Sequence, residues 1–416
     1  MAVPENLLPT YNEKVLRAMQ AERTVKRITF DSTEANPGET LYVSVPKLNK
    51  SEVLVPGSLA IRFDIDISGG HANNFLVQNV TRALVDKMVV KFAGATLEET
   101  VGYGLFKIFE DLFISREKRQ EMILQGIQSE DLNKIRSGAG DKKTSGVAAE
   151  NKLNDVFGEK YQINLDHQIL TDHGVFYPQA LYSDLVFEIT LAEAAQVVRG
   201  SDATKLKYKL TNLQLQYEMI RSETLAAEAE SVFNSGKEFA YDHVMRAKVV
   251  PINKGSETRI NIKVDAQRRS LKAILLLFVE GYTGGGRDSE KYVFPDLTKV
   301  SVTINGTPNR IFNNGVEDKD MWAEASRFFV REKNKTENMN LTKFYTADKF
   351  GLLIDMRSMA SQAMHRSGTR IVNSTDGVQL EIERRAGGSG VVNCHVFVIS
   401  DAQFNIMGRQ LQSVEY

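Results

Sequence analysis

Each thing this chain lacks removes a class of function. It has one cysteine, Cys394, among 416 residues, so no intramolecular disulfide can form and a reducing compartment suits it. Neither sign of charge is in surplus, with 52 Lys and Arg against 53 Asp and Glu and a formal net charge of −1. A chain without cationic excess is not built to hold nucleic acid by its phosphates, and strong direct binding is not expected. Long apolar runs are missing too. The longest, Ala273 to Val279 within SLKAILLLFVEG, falls far short of the ~20 residues a membrane-spanning helix needs. The N-terminus, MAVPENLLPTYNEKVLRAMQ, has no basic stretch leading into an apolar one, so no signal peptide is expected. The N-x-S/T sequons at Asn49, Asn79, Asn305, Asn334, Asn340 and Asn373 therefore read as polar turns.

Signatures of catalysis are equally scarce. There is no H-E-x-x-H, paired C-x-x-C, G-x-S-x-G or P-loop. The histidines are His71, His167, His173, His243, His365 and His395, and three of them follow an aspartate: Asp166-His167, Asp172-His173 and Asp242-His243. Neighbours on a strand point to opposite faces, so the first and last pairs read as polar residues near strand ends. Asp172-His173 in TDHG reads as a turn. Cys394-His395 alternates likewise and suits a buried small hydrophobe beside a polar residue. GYTGGGRDSE, Gly281 to Glu290, lacks a P-loop's Gly-Lys-Ser/Thr ending and reads as a flexible loop. The expectation is no catalytic residue, no metal ligand and no cofactor.

What the chain does have is a repeat. SLAIRFDIDISG (Ser58 to Gly69) matches SLKAILLLFVEG at an offset of 270 − 58 = 212, and DKMVVKFAGAT (Asp86 to Thr96) matches TKVSVTINGTP (Thr298 to Pro308) at the same offset. Upstream, TVKRITF (from Thr24) lies over HVMRAKV (from His243) at 219, and ETLYVSV (from Glu39) over ETRINIK (from Glu257) at 218. Helix-like segments follow each glycine turn, LFKIFEDLF in one copy and DMWAEASRFF in the other. YQINLDHQ (from Tyr161) then matches FGLLIDMR (from Phe350) at 189, so the first copy carries about 212 − 189 = 23 extra residues. These are Asn133 to Asp155, polar and Gly-, Ser- and Lys-rich, which read as an exposed loop.

Within each copy period-2 alternation dominates, as in Leu59 to Ile67, KLKYKL, LQLQYEM and VQLEIER, the pattern of half-buried antiparallel strands. The phase slips at Thr211-Asn212, which predicts a turn or bulge. Helical periodicity is confined to Glu13 to Thr24, Tyr103 to Ser129, Ser222 to Phe233 and Asp320 to Arg331. The reading is an all-β protein of two tandem eight-stranded jelly rolls with a few short helices, because a parallel fold needs a helix after nearly every strand. Residues 1–22 form an N-terminal arm or helix, 23–220 the first roll, 221–237 a helical linker and 238–416 the second roll. The arm, with Lys14 and Arg17 against Glu5 and Glu13, lies either on the inner face of an assembly or on its own subunit.

One strand breaks the alternation. At offset 212, Ile274, Leu276 and Phe278 stand where Arg62, Asp64 and Asp66 stand in the first copy. A strand apolar on both faces is covered on both faces, so these three are expected in a buried interface with the first roll, a helix or another subunit.

LPTYNEKVLRAMQ, DHQILTDHGVFYPQALYSDLVFEITLA, LKYKLTNLQLQYEMIRSETLA and NKTENMNLTKFYTADKFGLLIDMRSM resemble double jelly-roll viral major capsid proteins, in particular those of Polinton (Maverick) elements and adintovirus-like viruses. The resemblance runs from about Leu8 to Tyr416. It implies a homotrimer forming a pseudo-hexagonal capsomer of an icosahedral shell, with capsomer-capsomer contacts, a single jelly-roll penton protein as partner, and a place in the virion capsid after assembly inside the host cell. Two alternatives come from other classes. A tandem β-sandwich binding module, lectin-like, would be monomeric or dimeric with exposed loop aromatics. A two-domain cupin enzyme would need the metal-binding H-x-H that this chain lacks.

Overall fold

Among the described residues each half of the chain holds eight main strands, most of them with alternating apolar residues. The first half holds β1 (Glu22–Thr29), β2 (Thr40–Ser44), β3 (Ala60–Ser68), β4 (Val85–Phe92), β5 (Ala95–Val101), β6 (Lys160–Asn164), β7 (Leu185–Leu191) and β8 (Lys207–Arg221). The second holds β9 (Lys237–Asn253), β10 (Arg259–Val264), β11 (Arg268–Glu280), β12 (Leu297–Ile304), β13 (Thr307–Pro308), β14 (Gly351–Asp355), β15 (Val378–Arg384) and β16 (Val391–Met407). This computed structural model describes residues 21–68, 74–127, 160–200, 206–281, 286–309, 314–329, 339–357, 368–371 and 377–416. Residues 1–20 of the expected arm, the expected loop 133–155, His71, His365, Asn334, Asn373 and residues 282–285 lie outside the described residues.

Strand order shows the repeat more plainly than the sequence does. The first half pairs as β1-β8-β3-β6 and β2-β7-β4-β5, the second as β9-β16-β11-β14 and β10-β15-β12-β13, all antiparallel. Subtracting eight from each second-half number reproduces the first half. This order, in which the first strand lies beside the last, is the wound-up hairpin of a jelly roll, and the chain is a double jelly roll.

Local chemistry explains the matching turns. β4 and β5 are joined through Ala93-Gly94, β12 and β13 through Asn305-Gly306, and all four central residues have positive φ, from 51° to 80°. Two left-handed residues in a row form the hairpin turn whose twist matches that of the strands it joins. At Thr211 to Gln214 the register of β8 against β3 shifts, with Asn212 at φ 54°. The phase slip in the sequence is thus a β-bulge within one strand.

Helices occupy corresponding places. α1 (Tyr103–Asp111) follows β5, and α3 (Met321–Phe329) lies between β13 and β14. α2 (Glu223–Ser235) joins the two halves, and the Ser222 hydroxyl caps it by accepting from the Leu225 amide. α4 (Leu341–Thr346) is capped in the same way by Asn340 through the Lys343 amide. The expected helix through Thr24 gives way at its end to strand, because Glu22 to Thr24 already pair with β8 in β1.

Two of the sequence matches prove to be one residue out of step. Leu41, Val43 and Val45 are buried in the first roll, and Ile260, Ile262 and Val264 in the second, an offset of 219 and not 218. The same slip occurs in β11. Ile274, Leu276 and Phe278 are 0% exposed within the single chain. The ring of Phe278 lies 5.9 Å from Phe350 and faces Cys394 across the ladder to β16. On the opposite face, a side chain on Gly351 would meet the Phe109 ring of α1 and Leu277. Ile274, Leu276 and Phe278 therefore face the second roll's own interior, and Leu275 and Leu277 carry the contact to the first roll. A register shift between Leu271 and Ala273 is the local irregularity, and a one-residue slip exchanges the two faces of a strand.

Gly351 sits at the centre of that contact, where a Cβ would lie 2.4 Å from the Phe109 ring. Gly351→Ala is expected to reduce unfolding free energy by about 1–3 kcal/mol through overpacking. Urea denaturation checks this, and an unchanged midpoint would mean that α1 does not seat on β14 as described.

Candidate functional site: the seam between the two rolls

The seam begins with aromatic residues that the sequence spaces along α1. Phe106 reaches Phe397 of β16 at 5.7 Å between centroids. Phe109 reaches Tyr292 at 5.3 Å and Phe329 of α3 at 5.5 Å. Phe113, just past α1, stacks on Phe329 at 5.1 Å. The Tyr292 hydroxyl donates to the Leu105 carbonyl at 2.8 Å, so even the polar end of that ring is used. A second aromatic patch lies where β9 and β16 run beyond their own roll. Phe239 and Phe404 stack at 4.8 Å and meet Phe92, Phe176 and Phe233. Each large ring fully buried here contributes roughly 1.5–3 kcal/mol.

Between these patches runs a buried polar network. Arg82 grips Asp166 with two nitrogens, at 3.0 and 2.5 Å, and approaches Asp111 at 3.4 Å. Asn79 donates to Asp111 at 2.8 Å. Burial by itself would raise the Asp166 carboxyl, but the Arg82 charge overrides it and holds the group well below the usual carboxylate range. For Asp111 burial prevails over Arg82 and Asn79, and its carboxyl is raised.

Glu98 of β5 bridges the rolls directly. One of its oxygens accepts from the Val244 amide of β9 at 3.2 Å, and the one proton of the Thr100 hydroxyl is shared between that oxygen at 2.8 Å and the Val244 carbonyl at 2.7 Å. The other oxygen meets His167 Nε2 at 2.6 Å. Burial pushes the Glu98 carboxyl up, yet the His167 hydrogen bond and the His167 and His243 rings hold it below its ordinary value. Next along the chain, Gln168 accepts from the Asp242 amide at 2.5 Å. Asp242 in turn accepts from Lys272 at 2.5 Å, and Lys272 also meets Asp401 at 2.7 Å.

This geometry decides the fate of the residues singled out in the sequence. Asp166 and His167 take different partners, Arg82 and Glu98. His167 Nδ1 accepts from the Ile169 amide at 3.2 Å, which leaves Nε2 as the donor to Glu98. With both nitrogens engaged, the ring has no free site for proton transfer to a substrate. His173 meets the Ala240 carbonyl at 2.8 Å, and His243 packs on Tyr416 at 5.1 Å. Cys394 is fully buried, and burial pushes its thiol well above the usual range. Asn79 is fully buried as well, so that sequon is closed in the folded chain. Among the described residues no three His, Cys, Asp or Glu side chains converge as metal ligands, and no described helix is long and apolar enough to cross a membrane. A cavity of about 560 Å³ opens at the seam, bordered by Arg82, Lys107, Glu110, Asp166, His167 and Phe329. Lys107 faces Glu110 at 2.8 Å, and with Glu98, Asp111, Glu121, Asp172 and Asp242 also on its border carboxylates outnumber cations there. Adjacency suggested the pairs Asp166-His167 and Asp242-His243; the true partners lie 69 residues from His167 and 30 from Asp242, which no local pattern reveals.

The whole double roll superposes on solved viral capsid proteins. A quasi-atomic model of the PBCV-1 virus capsid matches with a TM-score of 0.63 and 8% identity, over 96% of this chain and 98% of that one. The Faustovirus major capsid protein matches with a TM-score of 0.57 and 8% identity, over 94% and 91%. The mavirus major capsid protein matches with a TM-score of 0.53 and 9% identity, over 94% and 89%. No family model matches the sequence, and no curated protein does. The likeness lies in the fold.

Arg82→Met is expected to cost about 2–4 kcal/mol at pH 7, because it leaves the buried Asp111 and the partly exposed Asp166 without their cation. Asp166, held low by Arg82, contributes stability that is complete above the usual carboxylate value and drains away as pH falls below about 4. Asp111, held high, contributes with the opposite sign and offsets part of that loss. The gap between wild type and variant should narrow in urea titrations at pH 3.5, and an equal gap at both pH values would contradict the assigned charges.

Proposed function

We propose that this chain is the major capsid protein of an icosahedral virus-like shell. The observation that carries the reading is the match of both rolls at once, nearly end to end, to three viral capsid proteins. A tandem double roll with the same strand order in both copies is suited to tiling, because two similar units in one chain turn three chains into a pseudo-hexagon. The capsomer is a homotrimer of six rolls, with a single jelly-roll penton protein at the five-fold vertices. Near-balance of charge, −1 overall, suits a wall whose filling is left to other machinery. The affiliation carried by the sequence texture is with Polinton (Maverick) elements and adintovirus-like viruses, and the site of action is the virion capsid, assembled inside the host cell. The work is structural and not enzymatic: in the seam the charged side chains hold one another, and His167 has no nitrogen to spare.

Two features support a rigid tile. The seam joins the rolls through aromatic packing and through main-chain hydrogen bonds from Glu98, Thr100 and Tyr241, whose hydroxyl donates to the Leu97 carbonyl at 2.6 Å. The face of β11 that is apolar beyond its own roll is covered by α1 of the same chain, so contacts between chains must use other surfaces.

Light scattering coupled to size exclusion, followed by negative-stain imaging, tests the reading. The expected result is a mass of three chains with hexagonal outlines, or closed shells. A strict monomer would remove the reading and favour a tandem binding module.

A further inference from the structure

Two histidines of the second roll, one buried and one partly buried, lie in the seam, and neither belongs to the clasp made by Glu98 and His167. His243 of β9 is 6% exposed, and its Nδ1 has no hydrogen-bond partner. Its ring packs on Tyr416, whose hydroxyl reaches across to the Thr96 carbonyl of the first roll. Around it stand Glu98 and His167 from the first roll and Arg268 and Tyr416 from the second. His395 of β16 borders a small cavity of about 80 Å³ under α1, with Gly102, Leu105 and Ile108 on the first-roll side. Its Nδ1 is also buried without a partner. The groups near it are two cations, Arg246 and Arg287, with Asp86 across the same cavity.

We propose that the seam is an acid-sensitive joint, closed while His243 and His395 are neutral and loosened when they take up protons. In each ring the buried Nδ1 offers an added proton no hydrogen-bond partner, and at His395 two guanidinium groups already stand nearby. A proton on His395 would set three cations around one cavity, opposed only by Asp86. A proton on His243 would be drawn to Glu98, whose oxygens already hold Val244, Thr100 and His167; any shift toward His243 takes Glu98 away from the β9 main chain. Separation of the rolls relieves both by admitting water.

The window follows from the direction of the shifts. Burial, and then the neighbouring arginines, push His395 down to about 4; burial also lowers His243, against the pull of Glu98. A histidine held below its free value binds fewer protons when the seam is closed than when it is open. Closure is therefore fully favoured above about pH 6.5 and loses ground as pH falls from there toward 4. The carboxylates held low, Glu98 and Asp166, weaken the seam only at lower pH, which separates the two effects.

The test uses the full chain in its native oligomeric state. Thermal unfolding is followed at steps from pH 7.5 to 4.5 for wild type and for His243→Gln/His395→Gln, which keeps polar side chains of similar size but removes the titration. The wild-type midpoint is expected to fall by roughly 5 °C or more between pH 7 and 5, and the double variant's by less than half as much. A level wild-type profile, or an equal fall in both proteins, would overturn the proposal. Should the double variant fail to fold, hydrogen exchange on wild type decides. Amides of Tyr103–Asp111 and of β9 near His243 should exchange about tenfold faster at pH 5 than at pH 7 after correction for intrinsic rates, while β7 and β15 keep their protection. Simultaneous opening of β7 and β15, or a seam as protected at pH 5 as at pH 7, would contradict it.

Discussion

The second roll carries a sheet face that water would not tolerate, and the arrangement of the whole chain follows from covering it. In β11 every side chain from Leu271 to Phe278 apart from Lys272 is completely buried, although a jelly-roll strand ordinarily needs only one apolar face. The inward face packs against the second sheet of the same roll. The outward face, through Leu275, Leu277 and their neighbour Phe397, needs a lid, and α1 of the first roll provides it. The two rolls are thus held together, because exposing either side of this contact to water is unfavourable.

Such a lid fixes distance better than direction, since dispersion and the hydrophobic effect are nearly isotropic. The polar network supplies direction. Glu98, Thr100, Tyr241 and Gln168 aim hydrogen bonds at particular main-chain groups across the seam, and a displaced contact would leave them unpaired in a dry place. Arg82 does the same within the first roll by tying Asp111, at the end of α1, to Asp166 after β6. In the shell role proposed above this division matters, since small errors in angle between rolls would multiply over many tiles. Exclusion of water from the Nδ1 atoms of His243 and His395 makes these rings the sensitive points of the seam, as a charge costs most where water is excluded.

Much of the architecture was legible in the sequence because strand periodicity and turn chemistry are local. The glycine turns at Ala93-Gly94 and Asn305-Gly306, the bulge at Thr211 to Gln214 and the helix start at Ser222 all depend on a few adjacent residues. The faces of two strands were not legible. Matching β2 to β10 and β3 to β11 by residue likeness put the second copy one position out, because an apolar run such as Ala273 to Val279 fits its neighbour equally well in two registers. Nor could adjacency find the partners of His167 and Asp242, which the topology brings in from distant strands.

Sequence alone determined that the chain is mostly antiparallel strand, that it is written twice, and that one strand must be covered on both faces. These follow from alternation and from the absence of long apolar runs, cysteine pairs and surplus charge, all properties of residues taken in order. The tertiary structure alone decided which face of β11 looks inward, that the cover comes from the same chain, and that the aspartate-histidine neighbours serve separate networks. Those outcomes depend on ladder register, where one step along a strand reverses the direction of every side chain, and on contacts between residues tens to hundreds of positions apart.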